Sequence, residues 1–195
     1  MGITIRPAAP ADVGQILSFI KALALYERGL DQVTATEEGL LRDGFGPRPF
    51  YECLIAELDA KPAGFALYFY NYSTWKGQPG IYLEDLFVEP ELRGLGIGKA
   101  LLERVARAAI EKGCRRLQWQ VLDWNTPAID FYVAHGGEFM DEWRTVRVND
   151  EALERLAAGI GIDRLAAGTG IERLAAGSGA GALAADGAHE SESAS

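Results

Sequence analysis

A mixed α/β domain is predicted by three features of the sequence. Short alternating or apolar runs with strand character recur along the first 150 residues. Between them lie segments whose apolar residues repeat at helical spacing. Glycine and proline punctuate the boundaries, so the elements separate cleanly in the order β-α-α-β-β-β-α-β-α-β.

Each element has its own warrant. "ITIRPA" alternates as a strand should. In "PADVGQILSFIKALALYE", Val13, Ile16, Leu17, Ile20, Leu23 and Leu25 fall on a helical stripe. "TATEEGLLRDGFG" offers a threonine cap and a short helix that stops at Gly44 and Gly46. "FYECLIAEL" and "AGFALYFYNYS" read as strands of a hairpin turned by "DAKPAG". "GIYLEDLFVEP" is the next strand, ended by Pro90. "GKALLERVARAAIEKG" is the strongest helix, closed by Gly113. "RLQWQVL" reads as a strand. "NTPAIDFYVAHGG" reads as a short helix capped by Asn125 or Thr126, with Pro127 in its first turn. "EWRTVRV" is expected to be the last strand.

This places one domain at residues 1–150 and a different segment at 151–195. There, from Glu154, "ERLAAGIGI", "DRLAAGTGI" and "ERLAAGSGA" repeat every nine residues. Leu-Ala-Ala favours helix, but glycines interrupt it in each unit. The segment is expected to be mostly disordered, the alternative being an extra helix or two. The repeat lacks the pattern of a calcium-binding β-roll.

Composition narrows the function. No apolar run approaches the ~20 residues of a membrane span, and the first residues carry no signal-peptide core. Two isolated cysteines, Cys53 and Cys114, suit a reduced, cytoplasmic setting. With only His135 and His189, no metal site is expected, and serine-hydrolase chemistry has little to work with. The net charge of −9 argues against nucleic acid. It is unevenly spread: Glu27–Glu91 holds 12 acidic against 5 basic residues, Arg93–Arg116 only 2 against 7. One region suits a cation and the next an anion.

"RGLGIGKA" at 93–100 sits between a strand and the strongest helix. A Walker loop would need Gly at 93 and Ser or Thr at 100, where Arg93 and Ala100 stand. A dinucleotide fingerprint needs G-x-G-x-x-G, and the spacing here is G-x-G-x-G. What remains is Arg-x-x-Gly-x-Gly. Backbone N–H groups and a helix N-terminus form a cradle for pyrophosphate.

That loop resembles the acetyl-CoA signature of the GNAT N-acetyltransferase superfamily. Together with "DGFGPRPFYECLIAE", "YLEDLFV" and "DWNTPAIDFY" it resembles the diamine (spermidine/spermine) N-acetyltransferases over roughly residues 3–148. The resemblance implies a GNAT acyl-CoA N-acyltransferase fold: a mixed, mostly antiparallel sheet with splayed central strands, flanked by helices. It implies acetyl-CoA as cosubstrate and a homodimer, with direct attack of an amine on the thioester and no covalent enzyme intermediate. Leu86, Phe87 and Val88 would meet the thioester, with N–H groups near Phe87 and Val88 as donors to its carbonyl. Arg93, Gly94, Leu95, Gly96, Ile97, Gly98 and Lys99 would hold the pyrophosphate, and Asn125 the CoA arm. Basic residues between Arg104 and Arg116 would reach the 3′-phosphate or form a solvated face. Glu84 would act as base through water and Tyr132 as the acid that protonates the thiolate. Tyr26, Glu27, Trp75, Glu84 and Asp85 would line the acceptor side, with Asp141 or Glu142 nearby. Carboxylates with aromatic faces favour a diamine or polyamine. A lysine-like amine such as thialysine, a protein lysine, and a non-catalytic CoA-binding module are the rivals.

Overall fold

A computed structural model describes residues 2–160 of the chain. The chain divides into two units, Met1–Gly137 and Glu138–Ser195.

The first unit is built on a five-stranded sheet in the order β1-β2-β3-β4-β5. The strands are β1 (Ile3–Pro7), β2 (Glu52–Leu58), β3 (Lys61–Ser73), β4 (Gln78–Val88) and β5 (Leu117–Gln118). β1 to β4 pair antiparallel, and β5 joins β4 in parallel. The helices are α1 (Val13–Tyr26), α2 (Glu37–Phe45), α3 (Ile97–Glu111) and α4 (Thr126–Ala134).

The apolar runs of β2 and β3 are continuous because both faces of the sheet are covered. Ile16 and Phe19 of α1 pack with Cys53, Ile55, Phe65, Leu67 and Phe87 on one face. Ile97, Leu101 and Val105 of α3 pack with Leu54, Ala56, Ala66, Ile81 and Leu83 on the other. Expected caps are in place. The Thr36 hydroxyl accepts from Gly39 N–H at 3.1 Å, and α4 is capped by Asn125 rather than Thr126.

Two features of β4 shape the groove beside it. The register against β3 shifts between Leu67, opposite Asp85, and Tyr68, opposite Leu83. Glu84 is therefore the extra residue of a bulge. It swaps the strand's faces: Ile81 and Leu83 point to α3, whereas Phe87 points to α1, and Asp85 shares its parity. Second, β4 pairs with β5 only at Ile81 and Tyr82. Beyond that point the strands diverge.

The "RLQWQVL" strand is accordingly shorter than expected. Leu117 and Gln118 alone reach β4, and Trp119 onward peels off. In the second unit "EWRTVRV" forms no strand; Val146 is 87% exposed, and a lone alternating segment gains nothing from extension without a ladder partner. The unit instead holds α5 (Asp150–Ala157). The start of the first nine-residue repeat is thus helical; the disorder expected for the rest of the tail concerns 161–195, outside the described residues.

Candidate active site

Between the open half of β4 and the chain after β5 lies a groove, and the glycine loop closes one end of it. A 3₁₀ turn at Pro90–Leu92 leads into Arg93, whose Nε donates to the Val88 carbonyl at 3.1 Å. Gly94 and Gly96 adopt φ of +80° and +86°, the left-handed region where a side chain is strained. Gly96 is also the N-cap of α3, so the helix opens with unpaired N–H groups and its positive dipole end on the loop. A Cβ on Gly98 would meet Val88 and Phe131 only at 3.7 and 3.8 Å, ordinary contact. Packing within the chain does not demand that glycine, whereas a diphosphate lying against the backbone would. The cradle fits pyrophosphate oxygens in residue type and conformation. Leu95 is exposed, Ile97 is in the core, and Lys99 pairs with Glu103 at 3.3 Å, so its ammonium stands at the loop's rim.

The groove wall is strand edge. Along Leu83–Val88 alternate N–H groups point away from β3, with no β5 ladder to consume them. Leu86, Phe87 and Val88 lie on this stretch.

α4 places Tyr132 over the groove. Its ring packs on Trp119 with centroids 4.9 Å apart and on Phe131 at 5.3 Å. Burial first, and the negative charge of Glu27 second, push the phenol up to about 12. It therefore keeps its proton at physiological pH. Asn125, 7% exposed, anchors the start of α4. Its Oδ1 accepts from Ala128 N–H at 3.4 Å and from the Tyr26 hydroxyl at 2.9 Å. In the chain itself this side chain serves as a cap and a bridge to α1.

The acidic side forms around the end of α1. Burial raises the carboxyl of Glu27 above its ordinary value. Asp85 is pushed up to about 7, by burial first and then by the charges of Glu84 and Glu27. Glu84 itself is exposed at the bulge. The charge of Glu27 is thus felt by both Asp85 and Tyr132, and that of Glu84 by Asp85. Tyr26 precedes Glu27 in the chain, packing on Trp124 at 5.9 Å and lying under the Arg93 guanidinium at 4.6 Å.

Trp75, Arg104 and Arg116 stand elsewhere in the first unit. Trp75 is 87% exposed in the β3–β4 turn. Seven residues of strand separate Gln78 from Asp85, roughly 24 Å at 3.4 Å per residue. Within this chain Trp75 is not brought to the groove. Asp141 and Glu142 are exposed in the second unit. Arg104 turns to Glu111 at 3.6 Å and Arg116 donates to Asn71 at 3.3 Å, both away from the glycine loop. His135 lies with Nδ1 2.7 Å from the Phe131 carbonyl, consistent with a structural role. Both cysteines are buried thiols, and Cys53 is pushed up to about 12, mainly by burial. Among the described residues no cluster could hold a metal and no helix is long and apolar enough to cross a membrane.

Two groove residues carry no expectation from the sequence. Trp124 borders Tyr26, and Arg28 lies over Trp124 at 5.0 Å from the ring centroid. "DWN" and "YERG" give no local signal that the two meet; only the approach of the segment before α4 to the end of α1 brings them together.

A splayed sheet, a glycine-rich helix N-terminus after its open strand and a half-buried tyrosine on α4 suit an enzyme that uses an acyl-CoA thioester. Residues 18–136 match the acetyltransferase (GNAT) family, and the chain belongs to that family. It is 46% identical over 166 residues to the thialysine N-epsilon-acetyltransferase of Bos taurus, covering 80% of this chain and 97% of that one. It is 39% identical over 163 residues to the human spermidine/spermine N(1)-acetyltransferase-like protein 1, covering 78% of this chain and 23% of that protein. Among solved structures it resembles an integron cassette protein from the mobile metagenome of V. cholerae. There the TM-score is 0.68 and the identity 27%, covering 80% of this chain and 98% of that one. The chain is an acetyl-CoA-dependent N-acetyltransferase acting on amines.

Proposed function

We propose that the acceptor is a small, lysine-like amino acid acetylated on its terminal side-chain amine. The observation that carries the amino-acid acceptor is the 46% identity to the bovine thialysine enzyme, while Glu27, Asp85 and Tyr132 near the open edge of β4 supply the groups for the ammonium and the thiolate. Paired carboxylates hold a terminal ammonium there while a protonated phenol stands ready for the sulfur. The match over nearly the whole length of the bovine thialysine enzyme supports an amino-acid acceptor. The acidic groove alone would equally suit a diamine or polyamine, as expected from the sequence.

Each part of the groove has its own task. The glycine loop and the first turn of α3 bind the pyrophosphate. N–H groups of the Leu86–Val88 edge polarise the thioester carbonyl. The ammonium has no lone pair, so it must first lose a proton. Glu84, exposed at the bulge, passes that proton to water, and Asp85, titrating near neutrality, holds the ammonium beside it. The amine nitrogen bonds to the acetyl carbon, the carbon–sulfur bond breaks, and Tyr132 donates its proton to the leaving thiolate. The homodimer implied by the resemblance and the reduced, cytoplasmic setting read from the two cysteines are carried as part of this proposal.

The test is CoA release from acetyl-CoA with thialysine, lysine, ornithine, putrescine, spermidine, spermine and a lysine peptide. The expected result is turnover of the free amino acids above the others. Selective turnover of di- and polyamines would keep the chemistry and overturn the acceptor. Tight acetyl-CoA binding with no turnover of any of them would overturn the enzymatic reading of these groups.

A further inference from the structure

A lysine-like acceptor brings a carboxylate toward a groove lined by Glu27, Glu84 and Asp85, and something must offset the repulsion. Arg28 is placed to do so. The residues after α1 form a Schellman close: Gly29 N–H donates to the Ala24 carbonyl at 2.8 Å and Arg28 N–H to the Leu25 carbonyl at 3.2 Å. The position between Glu27 and Gly29 must adopt the left-handed conformation, and Arg28 does, with φ of +63°. Glycine fills that slot at no steric cost; a side chain there costs on the order of 1 kcal/mol. The sequence instead puts its glycine one place later and a cation in the strained slot.

The guanidinium lies over the Trp124 ring at 5.0 Å. This cation–π contact holds the guanidinium on the ring and leaves N–H groups for a carboxylate. Among the described residues no carboxylate pairs with it. Trp124 contacts Tyr26, and the next residue, Asn125, takes the Tyr26 hydroxyl. The guanidinium therefore stands on the acceptor side of the groove, one residue from the carboxylate that reaches both Asp85 and Tyr132.

We infer that Arg28, held on Trp124, is the specificity-determining residue that receives the α-carboxylate of the acceptor. A bidentate guanidinium–carboxylate pair supplies the geometry. This deepens the proposed acceptor class and rests on it.

The experiment compares each amino acid with its decarboxylated counterpart: lysine with cadaverine, and ornithine with putrescine. The wild-type chain should favour the amino acid in kcat/KM. Arg28→Gln should reduce that preference at least tenfold through the amino-acid KM, with the KM for acetyl-CoA and turnover of the diamine unchanged. Arg28→Gly suits the left-handed backbone, so it should fold at least as stably and lose the preference as well. A preference that survives in both variants overturns the role of Arg28 while leaving the acceptor class standing. A variant that raises the KM for acetyl-CoA instead assigns Arg28 to the cosubstrate and overturns the proposal. A wild-type chain that favours the diamines overturns the acceptor class and the inference with it.

Discussion

The two halves of β4 are one strand with two destinies. From Gln78 to Tyr82 it has β3 on one side and reaches β5 on the other. Here its side chains serve packing: Tyr82 stacks on Phe69 at 5.2 Å and Ile81 is fully buried. From Leu83 to Val88 one edge has no ladder, a bulge rotates the chain at Glu84, and an aspartate sits where an apolar residue would be easier to bury. The paired half commits its hydrogen bonds to the fold. The open half keeps backbone donors and a high-pKa carboxylate free of it, and the residues proposed to meet the thioester carbonyl lie there.

Substitutions should separate the halves cleanly, beginning with the largest effect. Tyr132→Phe removes the proton donor but keeps the ring against Trp119. It should lower kcat by about 10²–10⁴-fold, the usual range for a positioned acid, with little change in melting temperature. Steady-state kinetics check this, and an unchanged kcat would remove Tyr132 from the reaction.

Gly98→Ala should come next. A methyl there fits the chain's own packing. Stability should hold or rise slightly, since alanine is the better helix former. The KM for acetyl-CoA should nevertheless rise about tenfold, the equivalent of ~1.4 kcal/mol of lost binding. Thermal melts run beside kinetics distinguish the two effects.

Asp85→Asn probes the buried carboxylate directly. Its carboxyl is pushed from the ordinary 3.8 up to about 7. Between those values the native chain binds a proton that the unfolded chain has released, so wild-type stability falls as pH rises through that window. Asparagine removes the dependence. Urea unfolding at pH 5 and pH 8 should show the variant gaining on the wild type by roughly 2 kcal/mol at the higher pH. An equal difference at both pH values would place the carboxylate in water.

The smallest effect belongs to the paired half. Phe69→Leu breaks the stack on Tyr82 and should cost about 1 kcal/mol of stability, as aromatic pairs do, leaving kcat/KM intact. A loss of activity larger than the loss of stability would erase the distinction between the halves.

The sequence made one half of this comparison far more readable than the other. Gly94 and Gly96 are legible because few residues tolerate the backbone they adopt, so the loop announces itself. The helix that carries Tyr132 is legible through its Asn-x-Pro start, whereas the role of Tyr132 comes only from the family resemblance. The bulge at Glu84 is not: "YLEDLFV" alternates equally well with or without it, and only the register against β3 reveals which carboxylate turns inward. The brevity of β5 is hidden for the same reason, since divergence from a neighbour is not a property of "RLQWQVL" itself. "EWRTVRV" has strand periodicity and no strand, because periodicity specifies faces, not partners. Arg28 is hidden most deeply, in a position that cap chemistry would assign to glycine.

The hydrogen bond from Tyr26 to Asn125 spans 99 residues of chain. Closing so long a loop is an entropic cost offset only after the sheet and α3 exist to bring the ends together. The acceptor wall therefore depends on the rest of the sheet being in place. Stability is not uniform, and contacts with few partners are the first to open. During synthesis the amino-terminal half leaves the ribosome with half an acceptor site. In mild denaturant, acetyl transfer should fade while the sheet still resists exchange, so that competence for the reaction is a narrower state than being folded.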